Sequence, residues 1–329
     1  MKIRNCFSKC LSAALSFAVI AAFLIAAGVV ALGATRACAE DLPSAGDFQF
    51  GGLAREYSLH VPARYDGKTP VALVLVLHGA GGSGALSMKR DGWVGASDRY
   101  GFIVAGPDAE PVRPSEPESF LTNPRAWNDL SPRGGPAHRQ VDDVGFIVAL
   151  ITRLSNQYRI DPKRIYVTGF SSGASMTLTL GVKLATRIAA IAPVSGQFFL
   201  GDTALAAPIS MLYIIGTADP LNPIAGGETT TPWGPMRKPP IAKSIDAWRT
   251  MLKCPGNPVT IRNSGGVKGI SYGPCAGGTV LEFYTVAGLG HVWPGGARIL
   301  PERWVGKASD KLDGTDLICE FFVEHRKVN

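Results

Sequence analysis

Cysteine and histidine are scarce in this chain of 329 residues, with six of the first and five of the second. There is no C-x-x-C pair and no histidine cluster, so neither a structural metal site nor any other cofactor is expected. No basic run interleaved with aromatics occurs, and with it goes the usual footprint of a nucleic-acid-binding surface. Internal repeats and long linkers are missing too. The Pro-rich stretch Pro107–Pro136 and the loop Asp219–Pro240 read as surface excursions of one domain. Nearly half the residues are hydrophobic and 18% are charged, which suits a sizeable α/β core.

The N-terminus stands apart from that core. Lys2, Arg4 and Lys9 precede an uncharged run from Leu11 to Thr35, which ends at Ala37-Cys38-Ala39. This reads as a secretory signal peptide over residues 1–39, cleaved after Ala39, with an uncleaved N-terminal anchor as the alternative. No aliphatic residue precedes Cys38 where a lipoprotein box would need one, so lipidation is not expected. Of the formal +7, Lys2, Arg4, Lys9 and Arg36 supply four, leaving about +3 on the mature chain. A secreted or periplasmic protein without stable membrane association is the expectation, its domain spanning residues 40–329. Removing the signal leaves Cys254, Cys275 and Cys319. The first two lie in Gly/Pro-rich loops, and an oxidising compartment favours pairing them. Cys319, within DLICEFF, reads as a buried free thiol.

Short apolar runs alternate with helical patterns along the rest. Val71–Leu77, Phe102–Gly106, Arg164–Gly169, Ile188–Val194, Met211–Gly216 and Val280–Val286 predict buried strands. Val141–Tyr158, Ser172–Ala185, Ala242–Leu252 and Leu312–His325 predict helices, and the alternating YSLHV near Tyr57 predicts an antiparallel edge strand. Such alternation implies a mostly parallel sheet with helices on both faces, where chemistry gathers at the carboxyl ends of the strands.

That rule sorts the candidate motifs. LHGAGGSG, Leu77 to Gly84, matches the dinucleotide fingerprint G-x-G-x-x-G, with Asp108 as its ribose ligand, and so offers a Rossmann oxidoreductase as the rival reading. Export, Pro107 ahead of Asp108, and His78 at the head of the glycine run weigh against it. The last feature is typical of loops that furnish an oxyanion hole. A phosphate-binding P-loop fails outright, because Ala85 stands where lysine is required.

G-x-S-x-G occurs twice, at Gly169–Gly173 around Ser171 and at Gly269–Gly273 around Ser271. A nucleophile elbow needs a strand, a sharp small-residue turn and a helix. RIYVTG and SSGASMTLTLGVKLA supply these around Ser171. GGVKGISYGPC has no apolar strand ahead of Ser271 and Pro274 close behind, so it is read as a decoy. A serine hydroxyl needs a base, and the base needs an orienting carboxylate, in the chain order Ser, acid, His. Of the two later histidines, His325 reads as a solvated helix end, whereas His291 lies in AGLGHVWPGG just past a strand. For the acid, Asp219 ends IIGTADP, again just past a strand. Glu228 is the weaker alternative, and Asp202 and Asp246 read as solvated charges. The N–H groups of Ser172 and Ala80 are the expected oxyanion donors. His78 reads as a loop-fixing residue, with substrate contact as its alternative, and Asp142-Asp143 as a helix cap.

The set HGAGGSG, WND (Trp127–Asp129), VDDVGFI, IDPKRIYVTGFSSGASMT, GTADP and GLGHVWPGG resembles secreted α/β-hydrolase esterases of the polyhydroxybutyrate depolymerase and feruloyl or acetyl xylan esterase group. The likeness runs from about Tyr57 to the C-terminus. It implies an α/β-hydrolase fold and a serine esterase working through an acyl-enzyme, with Ser171 as nucleophile, His291 as base and Asp219 as acid. It also implies a Cys254–Cys275 bridge, and it places Trp127 and Trp293 near the acyl or aryl surface, although burial alone suits either to the core. Hydroxyalkanoate oligomers, feruloyl esters and acetylated polysaccharides all fit as substrates, and a serine peptidase on the same fold is the nearer alternative. The loop Thr229–Pro240 is longer than the resemblance leads one to expect, which leaves the pocket rim open.

Overall fold

A computed structural model describes residues 44–131, 138, 140–201 and 203–327; residues 1–39, read above as a signal peptide, lie outside them. Its centre is a ten-stranded sheet built on the apolar runs. In chain order the strands are β1 (Ser44–Phe50), β2 (Leu53–His60), β3 (Val71–Leu77), β4 (Ile103–Pro107), β5 (Ile160–Phe170), β6 (Ala190–Val194) and β7 (Ser210–Gly216). After β8 (Gly227–Thr231) and β9 (Gly234–Lys238), which pair only with each other, come β10 (Val259–Ser264), β11 (Val267–Tyr272) and β12 (Leu281–Val286). The sheet order is β1-β2-β4-β3-β5-β6-β7-β12-β11-β10. From β4 to β12 every pairing is parallel, and antiparallel strands flank that block on both sides.

Burial on two faces explains why the parallel strands read as unbroken apolar runs. In VALVLVL, Leu73, Leu75 and Leu77 join one core layer while Ala72, Val74 and Val76 join the other. The first layer is covered by α3 (Asp143–Gln157), α4 (Ser172–Lys183) and α5 (Ile241–Leu252). The second is covered by α1 (Gly84–Arg90), α2 (Trp93–Tyr100) and α7 (Gly314–Glu324), with the single turn α6 (Glu302–Val305) beside it. This is the α/β-hydrolase type of fold. No helix among the described residues is long and apolar enough to cross a membrane.

Several expectations need correction. The strand around Tyr57 is antiparallel, but it is not the edge: β1 covers it in continuous register from Ser44↔Leu59 to Phe50↔Leu53. A strand that the apolar pattern did not mark, β11, contains Ser271 and pairs on both sides. The stretch Asp219–Pro240 contains the β8–β9 hairpin. These segments (SAGDFQF, GETTT, GPMRK, VTIRNS) are short and solvated on at least one face, so no hydrophobic period marks them.

Two local features pin the frame. Cys254, just past α5, is bridged to Cys275, ahead of β12, while Cys319 is buried and free. Asp142 caps α3 by accepting from Gly145 N at 2.8 Å. Its neighbour Asp143 goes beyond capping: it receives Arg55 Nη2 at 2.7 Å and Asn128 N at 2.8 Å, with both charged side chains 1% exposed.

Candidate active site

Ser171 sits between β5 and α4 with φ 56° and ψ −115°, a left-handed conformation that a non-glycine residue rarely adopts. Its N–H is held by Val194 O at 3.0 Å. The flanking glycines are required by contact. A Cβ on Gly169 would lie 2.5 Å from Gly173 O, and one on Gly173 would lie 2.2 Å from Leu77 O. Strand and helix therefore close on backbone alone. Around Ser271 the two glycines meet side chains instead, Tyr284 and Val280, and no turn forms there.

Asp219 lies just beyond β7 and is 3% exposed. Its Oδ1 accepts from Leu221 N at 2.9 Å and Asn222 N at 2.8 Å, while Oδ2 receives His291 Nδ1 at 2.8 Å. Burial opposes charge on this carboxyl, but the imidazole and the two amides outweigh it and hold its pKa below the ordinary range. The bond to Asp219 fixes Nδ1–H as the donor, and Nε2 has no hydrogen-bond partner among the described residues. His291 follows β12. Its N–H bonds Val305 O at 2.5 Å, and Gly290 N bonds Lys307 O at 2.8 Å, so the α6 segment anchors the loop. Phe170 packs on the imidazole with centroids 4.7 Å apart.

The loop after β3 is held from beneath. His78 is fully buried; its Nδ1–H donates to Gly79 O at 2.7 Å and its Nε2 accepts from Ala109 N at 3.0 Å. Burial pushes its pKa down and the ring is neutral, so the Asp108 carboxylate 3.9 Å away is no ion-pair partner. Trp127, 1% exposed, donates from Nε1 to His78 O at 2.9 Å. Both residues fix the loop, and neither of these two candidates for substrate contact is among the residues lining the cleft. Asp108, the ribose ligand of the Rossmann reading, instead accepts from Gly84 N at 2.5 Å and pairs with Arg125 at 3.1 Å. The Ala80 N–H has no hydrogen-bond partner among the described residues.

Ser171, His291 and Ala80 line one partly open cleft of about 90 Å³. Trp293 also lines it, though 2% exposed and bonded through Nε1 to Thr315 at 3.0 Å. Glu228 is exposed on β8, Asp246 pairs with Arg249 on α5, Asp202 lies outside the described residues, and His325 packs half-buried on Phe321. Sequence reasoning missed Phe120, Trp233, Ile299 and Leu300 in the cleft wall. They lie in irregular segments with no periodic signal; the length of the loop around Trp233 was the single hint.

The sequence profile of the phospholipase/carboxylesterase family matches residues 65–233. The chain is 28% identical over 88% of its length to NocK of Nocardia uniformis subsp. tsuyamanensis, a protein provisionally described as an esterase, of which it covers 85%. It is 32% identical over 51% of its length to feruloyl esterase B of Piromyces equi, and it spans only 31% of that relative. Among solved structures, the acetyl xylan esterase from Aspergillus awamori superposes with a TM-score of 0.54 at 18% identity, over 75% of this chain and 94% of that one. This last likeness is one of fold.

Proposed function

From its place in the phospholipase/carboxylesterase family, to which the chain belongs as a carboxylic ester hydrolase, we propose an exported serine esterase that works through an acyl-enzyme. The observation that carries this reading is the 2.8 Å bond from buried Asp219 to His291, in the cleft that Ser171 also lines. Ser171 Oγ attacks the ester carbonyl while His291 Nε2 takes its proton and then returns it to the leaving alcohol. Asp219 holds the imidazole in the tautomer this requires and stabilises the imidazolium. The N–H groups of Ala80 and Ser172 receive the oxyanion; such donors contribute about two to three orders of magnitude in rate each. Water then attacks the acyl-enzyme by the same route and releases the acid.

Hydroxyalkanoate oligomers, feruloyl esters and acetyl esters are the substrate classes in view, the last two by analogy with the names of relatives. Export is supported by the signal-like residues 1–39 and by the Cys254–Cys275 bridge. A fluorophosphonate should label the wild type and not Ser171→Ala. Hydrolysis of p-nitrophenyl acetate should disappear in the same variant. A wild type that neither labels nor cleaves overturns the proposal, and parallel assays on the three substrate classes rank them.

A further inference from the structure

The β8–β9 hairpin stands outside the ten-stranded sheet, and a lone two-stranded hairpin is marginally stable in water. What holds it lies at its ends. At its foot, Gln197 Nε2 donates to Pro239 O at 3.0 Å. At its tip, Trp233 Nε1 donates to Phe120 O at 2.7 Å, and the two rings pack with centroids 5.5 Å apart.

Phe120 is itself fixed. Asn123, 1% exposed, donates to the carbonyls of Arg113, Glu116 and Pro117 and accepts from Arg113 N, which staples the loop that carries the ring. The ring lies against Gly81, where φ is +71° and a Cβ would come within 2.5 Å of it. Gly81 adjoins the proposed oxyanion donor Ala80. A continuous wall thus runs from the oxyanion loop through Phe120 to the hairpin tip. It borders a cleft whose two arginines are already paired, Arg90 with Asp91 and Arg298 with Glu302, each at 2.6 Å.

The chemistry fixes which half of a substrate meets this wall. His291 must reach the leaving oxygen, so the alcohol departs on the imidazole side. The carbonyl oxygen turns to the Ala80 and Ser172 N–H groups, which leaves the acyl group the part of the cleft away from the imidazole. We propose that Phe120 and Trp233 form the acyl-side wall of the cleft, and that Trp233 is a specificity-determining residue favouring esters of long or bulky apolar acids over acetyl esters. This rests on the esterase reading above. An acetyl group offers such a wall a single methyl, whereas a medium-length acyl chain has the apolar surface to cover it and leave water.

The test compares kcat/KM for p-nitrophenyl octanoate and p-nitrophenyl acetate in the full-length wild type, Trp233→Ala and Trp233→Phe. The shared leaving group confines the difference to the acyl side. In Trp233→Ala the octanoate-to-acetate ratio is expected to fall about tenfold or more. The loss should sit in KM for octanoate, since the contact is made in ground and transition states alike. Trp233→Phe, which keeps a ring but removes the bond to Phe120, should give an intermediate ratio. It also decides the matter if the alanine variant does not fold. A ratio unchanged in the folded variants overturns the wall while leaving the esterase reading in place. A wild type that cleaves neither ester overturns both.

Discussion

Asp219 and His291 lie 72 positions apart in the chain and meet at 2.8 Å, 3% and 7% exposed. Two short backbone bonds fix the carboxylate from the other side, so it is aimed as well as buried. Asp219→Asn keeps the shape but not the tautomer, and kcat on p-nitrophenyl acetate should drop by about 10³–10⁴. A drop below tenfold would remove Asp219 from its proposed role.

The same carboxyl makes stability depend on pH. Its folded pKa lies below the ordinary 3.8, so the unfolded chain binds this proton more readily than the native one. The stabilisation is therefore complete well above pH 3.8 and is lost as pH falls through the lower folded value. Urea midpoints measured from pH 6 down to pH 2 should decline below about pH 4. The decline should be shallower in Asp219→Asn than in wild type, and parallel acid limbs would contradict the assignment.

The two G-x-S-x-G matches should respond differently to one methyl group. On Gly173 it meets the carbonyls of Leu77 and His78 at 2.2 and 2.6 Å, backbone that cannot turn aside. Gly173→Ala should cost about 2–3 kcal/mol and displace both Ser171 and the oxyanion loop, with ester hydrolysis lost. On Gly269 the methyl meets the Tyr284 ring, a side chain able to yield, and activity should survive. Denaturation curves and turnover measured side by side decide this; equal losses in both variants would refute it.

Arg55 and Asp143 form a buried pair that also supports the loop at Asn128, and the Arg55 guanidinium lies 3.8 Å over the Phe146 ring. Asp143→Ala takes one of two carboxylate partners from a buried cation, Glu110 remaining at 3.0 Å, and should cost about 1–3 kcal/mol. Replacing both residues with apolar ones of similar size should recover much of that loss. A double-mutant cycle by urea denaturation checks it, and additive losses would show that the pair is uncoupled.

Legibility followed burial. The parallel strands could be read because each is apolar on both faces, and Ser171, Asp219 and His291 could be proposed because each follows such a strand. Strands β8 to β11 could not be read, since VTIRNS and GETTT owe their conformation to a neighbour's hydrogen bonds rather than to a hydrophobic period. His78 and Trp127 were visible as unusual residues, but their role depends on a contact across 49 positions that ties indole to carbonyl.

What the sequence by itself determined is therefore the layered sheet and the one glycine-flanked serine set between an apolar strand and a helix, because both follow from local pattern and sterics. Tertiary structure decided the rest: which carboxylate holds the imidazole, that His78 bonds to Ala109, and that Trp233 reaches Phe120 across 113 positions. Those choices are contacts between loop segments of no fixed period, and only the packed sheet beneath them brings their ends together.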